Sequence, residues 1–359
     1  MSLTRIQESL NIMFEKQLLK ASHLEKGDMV GLISPSAPMA GLVPHRVEKA
    51  VNALEEMGLR TRITQNALKI TDYTAGSPKE RADDINDCFK DKNIKAIISF
   101  IGGNHSNQTL KYIDFNLVKE NPKIFLGYSD ATVLHFAFLT QASLVTFYGP
   151  AALTQFAENP QILSYTREYL EKTLFASNEK ITIQPSMEWT DEILDWFEKE
   201  DLKRPRTMKK NNGWQWLKKG AAEGPILGGC ISSMLHLMGT KYWPDFSGAI
   251  LFWEIPESSA DFTKGRSLED IDAYLTDLEL SGVFKQIKGM IIGRAFGYTD
   301  EQIVKLVELI KQRTSDYAFP ILYNVDIGHT DPMITVPLGI NAKIDSEGNT
   351  FDFIEKGIL

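Results

Sequence analysis

The chain has 359 residues, of which 43% are hydrophobic and 24% charged, and a formal net charge of −8. That is enough material for two buried cores, and the acidic balance argues against nucleic acid as a main partner, because phosphate binding needs an excess of Lys and Arg. The longest apolar runs are too short for a bilayer span, the N-terminus lacks a basic segment followed by an apolar signal core, and Cys88 and Cys230 lack zinc or paired-thiol spacing; the expectation is a cytoplasmic protein with no membrane partner, no disulfide framework and no structural metal.

Residues 1–24 have helical spacing, with Leu3, Ile6, Leu10 and Phe14 recurring every three or four positions, and read as an accessory helical extension. Next, "DMVGLISPSAP" predicts a strand ending in a small-residue loop, and "PHRVEKAVNALEEMG" a helix with Pro44 near its start and Gly58 at its end. The order then repeats: "SPKERADDINDCFKD" (helix), "KAIISFIGG" (strand), "NHSNQTLKYI" (helix), "KIFLGY" (strand), "DATVLHFAFLTQ" (helix), "SLVTFYGP" (strand). Nearly continuous apolar strands alternating with amphipathic helices predict a parallel sheet covered on both faces, in a first α/β domain over 25–155. Ligands of such sheets sit beyond the carboxyl ends of the strands.

After Pro150 a helix, "ENPQILSYTREYLEKTLFA", leads into a polar stretch, 177–219. Within it, "KEDLKRPRTMKKNNGWQWLKKG" mixes basic residues with Trp214 and Trp216; the preferred reading is a solvated excursion whose tryptophans pack on the core. Strand signals in "GPILGGC", "GAILFWE", "KGMIIGRAF" and "FPILYNV", with helices "SLEDIDAYLTDLELSG" and "DEQIVKLVELIKQR" between them, predict a second, mixed α/β domain over 165–359.

"KIFLGYSDAT" places Ser129 between a buried strand and a buried helix. Small neighbours, Gly127 and Ala131, permit the tight turn that lifts a side chain clear of a sheet, as in the nucleophile elbow of α/β-hydrolases, although the full G-x-S-x-G pattern is absent. Two readings stand at this point: a nucleophile, or a serine capping the following helix. A nucleophilic serine needs a histidine base and an acid to orient it. Of six histidines, His135 and His236 fall in apolar helical runs and read as core residues, whereas His329 in "DIGHTDPM" follows a strand end in a loop. Glu254 ends the apolar run "ILFWE", where a charge needs a partner: a Lys or Arg, or one ring nitrogen of His329. Gly102 and Gly103 in "SFIGGNHS" allow close backbone approach to a ligand; the Gly103 and Asp130 N–H groups are assigned as an oxyanion hole, with a plain glycine turn as the alternative. If His329 is the base, turnover should rise as it loses its proton, near an ordinary value of about 6.5.

Taken together, "GDMVGLISPSAP", "ISFIGGN", "FLGYSDAT", "GPILGGC", "ILFWE" and "GHTDPMITVPLG" resemble the LD-carboxypeptidase and microcin C immunity family of serine peptidases, over about 25–355. The resemblance implies a Ser129–Glu254–His329 triad, a flavodoxin-like N-terminal domain, a swivelling C-terminal domain, a homodimer and no metal or cofactor. It offers two substrates: an aminoacyl-nucleotide or microcin C-like peptide-nucleotide, cut at an amide-type bond, or a murein tetrapeptide losing its terminal D-alanine. "MEWTDEILDW" is similar to a tryptophan-bearing insertion of the immunity branch, which makes Trp189 or Trp196 a base-stacking candidate, with plain packing as the alternative. Two departures concern substrate: Cys230 stands where many members carry Asn, and the lysine that follows the glutamate in the immunity branch has no counterpart in "EIPESSAD". Cys230, in "LGGC" before a helix, has a rival role as a low-pKa thiol nucleophile. A non-catalytic protein that senses nucleotides or peptides is the third class of reading.

Overall fold

The computed structural model describes residues 17–176 and 178–359. The apolar run Met29–Ile33 forms β1 and is followed by a helix, α1 (Pro44–Glu56), with proline in its first turn where its missing N–H costs nothing. The pattern continues through β2 (Arg60–Ile63), α2 (Pro78–Lys90), β3 (Ile94–Ser99), β4 (Ile124–Gly127), α3 (Thr132–Ala142) and β5 (Phe147–Tyr148). Helix α2 starts at a capping box in which Ser77 and Glu80 satisfy each other's backbone N–H groups. Strand order in this sheet is 2-1-3-4-5, all parallel, with β14 (Val336–Pro337) added antiparallel to β5. This is the flavodoxin-like doubly wound order, with its crevice where β1 and β3 diverge.

Residues 164 onward supply α4 (Ser164–Leu174) and a mixed eight-stranded sheet. Its order runs β6 (Ile181–Ile183), β16 (Thr350–Phe353), β15 (Asn341–Asp345), β10 (Ala221–Cys230), β11 (Ile250–Glu254), β12 (Gly289–Gly293), β13 (Ile321–Val325) and β9 (Gln215–Lys218). The strands β10 to β13 are mutually parallel, and helices α5 (Leu268–Leu280) and α6 (Asp300–Arg313) intervene along the chain. A small antiparallel pair, β7 (Glu188–Trp189) and β8 (Lys209–Lys210), stands apart. The architecture is therefore α/β, a parallel sheet followed by a mixed one.

Three local expectations are corrected. The helical extension falls mostly outside the described residues, but 17–24 are extended: Leu19 N donates to Ser143 O (2.7 Å) and accepts, through its carbonyl, from Val145 N (2.9 Å). A free backbone edge there outcompetes an isolated helical turn. "NHSNQTLKYI" forms one 3₁₀ turn, Ser106–Thr109, because side-chain oxygens elsewhere capture the N–H groups at its start. His236 is exposed, not a core residue. By contrast His135 is buried, bonded to Thr146 Oγ1 (2.8 Å) and Gly127 O (2.9 Å), with burial lowering its pKa to about 4. Trp214 and Trp216 pack on the core as expected.

Candidate active site

The buried strand β4 runs into Tyr128 and then Ser129, whose φ of +61° lies in the left-handed region that non-glycine residues seldom occupy. A 3₁₀ turn, Ser129–Ala131, passes directly into α3. Gly127 is required: a Cβ there would lie 2.3 Å from Ser99 Oγ. The capping alternative for Ser129 fails, since the start of α3 has no side-chain cap and instead Thr132 Oγ1 donates to Ser129 O (2.6 Å). The Ser129 hydroxyl makes no hydrogen bond among the described residues, and the residue is partly exposed. It is positioned by backbone and left unengaged.

Above it lies the loop after β3. A Cβ on Gly102 would sit 2.7 Å from Ser129 Cβ and 3.0 Å from Asp130 N, so only glycine lets the two loops touch. Gly103 has φ +139°, and a Cβ there would meet Ser36 Oγ at 2.5 Å. Asp130 does more than the sequence suggested. Its buried carboxylate accepts from His105 N (2.9 Å) and Ser106 N (2.8 Å), fastening the glycine loop beside the serine.

The second sheet approaches the same place. Glu254 ends β11, fully buried, and its Oε2 lies 2.7 Å from Nδ1 of His329. This approach needs Gly328, at φ +101°, where a Cβ would lie 2.4 Å from Glu254 Cγ. The other Glu254 oxygen accepts from the Tyr148 hydroxyl (2.5 Å), and that hydroxyl in turn accepts from Ser129 N (3.2 Å). Tyr148, on β5, thus ties the acid to the serine backbone; burial and the adjacent Glu254 keep its proton in place well beyond the ordinary phenol range. Sequence reading missed it, since only the packing of the two sheets brings these groups together.

The outer nitrogen of His329 does not reach Ser129: no hydrogen bond joins them, and Nε2 instead lies 3.2 Å from Glu257 Oε2. Burial by itself would lower the pKa of His329, but the carboxylates of Glu254 and Glu257 outweigh it and raise the value to about 9. The expected transition near 6.5 is therefore corrected upward. Asp331, two residues along, is held by Arg206 (2.7 Å), which also pairs with Glu158. Arg294 pairs with buried Asp326 (2.7 Å) and donates to Thr330 Oγ1 (3.3 Å), bracing the histidine loop.

Trp189 adjoins that loop: the next residue, Thr190, pairs with Asp331 through both backbone hydrogen bonds (2.6 and 2.9 Å). The Arg294 guanidinium lies 5.0 Å from its ring centroid and the Lys209 ammonium 4.7 Å. Trp196 is differently placed, covered at 4.2 Å by Arg46, which is itself paired with Asp201 (2.6 Å). Cys230 faces Glu254 across the β10–β11 ladder and is buried. Burial, reinforced by the Glu254 charge, pushes its thiol up rather than down, which removes the basis for a thiolate nucleophile.

Residues 30–149 match the family described as LD-carboxypeptidase N-terminal domain, and residues 223–344 the LD-carboxypeptidase C-terminal domain. The chain is 30% identical to the microcin C7 self-immunity protein MccF of Escherichia coli, over 96% of this chain and 98% of that protein. The structure of MccF in complex with aspartyl sulfamoyl adenosine superposes with a TM-score of 0.87 at 30% identity, covering 95% of this chain and 100% of the other. An MccF-like protein of Bacillus anthracis gives 0.85 at 33%, covering 94% and 99%. With both halves matched in order, the chain belongs to the LD-carboxypeptidase family and is a serine carboxypeptidase-like hydrolase.

Proposed function

We propose that Ser129, His329 and Glu254 act as a Ser-His-Glu triad that cleaves an amide-type bond in an aminoacyl-nucleotide or microcin C-like peptide-nucleotide. The observation that supports this reading is the chain of contacts from Ser129 N through Tyr148 to Glu254 and His329, which links the three residues across the seam of the two sheets. Glu254 holds the imidazole by Nδ1, so that Nε2 is the nitrogen available for proton transfer. Once Nε2 is free and turned to the serine, it takes the Ser129 proton as Oγ bonds to the acyl carbon. The carbonyl oxygen becomes an oxyanion for the Gly103 and Asp130 N–H groups, near the positive end of α3. Collapse returns the proton to the leaving nitrogen, and water then hydrolyses the acyl-enzyme by the same route.

The nucleotide reading draws on the ligand held by MccF and on Trp189, which neighbours the histidine loop through Thr190; cations lie over both tryptophan rings, so it is this position beside the loop that favours Trp189 over Trp196 as the stacking candidate. Cleavage of a murein tetrapeptide to release D-alanine is the second reading, supported by the family descriptions of both domains. A mass-spectrometric panel of aminoacyl sulfamoyl adenosines and muropeptide tetrapeptides, with Ser129→Ala as blank, tests both. Turnover of the nucleotide conjugates alone supports the first reading, D-alanine release alone the second, and no turnover of either sinks both. In this reading the enzyme works in the cytoplasm, without cofactor and as a homodimer.

A further inference from the structure

The contact between His329 Nε2 and Glu257 presents a chemical problem. His329 is faced by Glu254 from the end of β11, by Glu257 from the loop after it, by Asp331 from its own loop and by the ring of Tyr128 at 4.9 Å between centroids. Asp331 is already compensated by Arg206, and Arg294 is committed to Asp326. Glu257 has no partner other than His329 among the described residues. It is also firmly presented: Glu257 and Gly265 form a β-bridge, Ser258 N donates to Lys264 O (2.7 Å) and Arg266 N to Pro256 O (3.1 Å). Gly265 packs where a Cβ would fall 2.1 Å from Phe296 O, which anchors the loop to the wall of the site.

In this arrangement the outer carboxylate is satisfied only while His329 carries its proton. A base must be neutral, however, and a neutral imidazole would leave two carboxylates against one uncharged ring. A cation from a ligand would compensate it: among the described residues no Lys or Arg pairs with Glu257, and Arg266 of the same loop, which carries no ion pair, donates to Ser259 Oγ (3.5 Å) instead. The side chain of Glu257 retains 34% exposure, so solvent and a dissolved ligand can reach it.

We infer that Glu257 is a specificity-determining residue that receives a cationic group of the substrate, an ammonium or guanidinium, and that by leaving His329 Nε2 for that group it frees the imidazole to face Ser129. The inference rests on the serine-hydrolase reading and adds to it the charge class of the acyl donor. In an aminoacyl-nucleotide the group is the free α-ammonium. Substrate binding and activation of the base are then one event: the ammonium brings the positive charge that His329 gives up.

Two measurements on wild type and Glu257→Gln test it. The first is the ratio of kcat/KM for alanyl sulfamoyl adenosine over its N-acetyl derivative. A hydrogen-bonded charge pair is worth a preference of about tenfold or more for the free amine, and Glu257→Gln should bring the ratio near unity. The second is the labelling of Ser129 by a neutral fluorophosphonate, which carries no cation and so meets the closed site. Labelling of Glu257→Gln at neutral pH should be faster than wild type by about tenfold or more, because the ring loses one of the two charges that hold its proton. A thermal melt confirms that the loop substitution leaves the fold unchanged. An unaltered amine preference together with an unaltered labelling rate overturns the assignment of Glu257. Failure of the reagent to label Ser129 in either protein, from acid to alkaline pH, instead overturns the serine reading beneath it.

Discussion

Two corners carry the proposed reacting groups, and they are built differently. After β4 the chain turns at Ser129 against glycines at 102 and 127 that leave no room for a side chain, with Asp130 bolted to the opposing loop. After β11 the chain passes from fully buried Glu254 into a surface loop that puts a second carboxylate, Glu257, on the same histidine. The first corner is fixed by steric exclusion and holds one geometry. The second is held by charge, and charge can be exchanged for that of a ligand. In the proposed reading the nucleophile is thus preorganised while the base is conditional, a division that would place control of reactivity on the half of the site contributed by the second sheet.

The most direct way to break this picture is to remove the reacting atoms. Ser129→Ala or His329→Ala should lower turnover of the preferred substrate by about 10⁴-fold with unchanged melting behaviour, and Glu254→Gln should cost less than either. A loss of only a few-fold for Ser129→Ala would end the nucleophile assignment. The rigid corner is probed next by Gly102→Ala, which pushes a methyl group to 2.7 Å from Ser129 Cβ. Displacing a nucleophile by a fraction of an ångström to an ångström costs about 10²-fold, so kcat should fall by that order while KM moves little. An active Gly102→Ala enzyme would show that the corner yields more than its contacts suggest.

A smaller effect is expected at the junction of the two corners. Tyr148→Phe removes the hydroxyl between Glu254 and Ser129 N and leaves a buried carboxylate oxygen unsatisfied, which costs about 1–3 kcal/mol of stability. As a positioning residue it should also shift the pH profile of fluorophosphonate labelling, a change that a purely structural role would not produce. The wild-type profile itself has a defined sign. With His329 raised to about 9, the free enzyme should gain labelling rate as pH rises through that value. The same ion cluster stabilises the fold fully below the ordinary histidine value of about 6.5 and loses that contribution as pH rises through about 9. Thermal melts across the alkaline range, compared with Glu257→Gln, read it out.

The parts legible in the sequence are those governed by local pattern. Apolar runs between helices marked β1, β3, β4 and β11, and a small residue either side of Ser129 marked the corner; a strand-end Glu254 and a loop His329 followed from where charges and histidines ordinarily sit. What stayed hidden depends on which surfaces meet. Tyr148 lies in "SLVTFYGP", and nothing within that run shows that its hydroxyl will meet a glutamate 106 positions later. Gly328 reads as a loop glycine until Glu254 is packed against it. In "EIPESSAD" the family resemblance points to a lysine that is absent, whereas the residue that meets His329, Glu257, has the opposite charge. At 106–109 and 17–24, propensity lost to backbone partners supplied from elsewhere in the fold.

The smallest expected effect concerns Cys230, which shares the end of the β10–β11 ladder with Glu254 and so belongs to the conditional half of the site. Its N–H donates to Thr132 Oγ1 (3.1 Å) at the start of α3, and its sulfur lies 3.5 Å from Ser232 Oγ, so its main tie to the nucleophile corner is through backbone. Cys230→Ala keeps that backbone bond and removes one buried sulfur, at a cost of about 1 kcal/mol in stability. Because burial and Glu254 hold the thiol protonated, iodoacetamide should leave wild-type activity intact, and Cys230→Ala should turn over substrate within a few-fold of wild type. Inactivation by iodoacetamide that Cys230→Ala abolishes, with Ser129→Ala still active, would move the nucleophile from the rigid corner to the conditional one and invert the comparison between them.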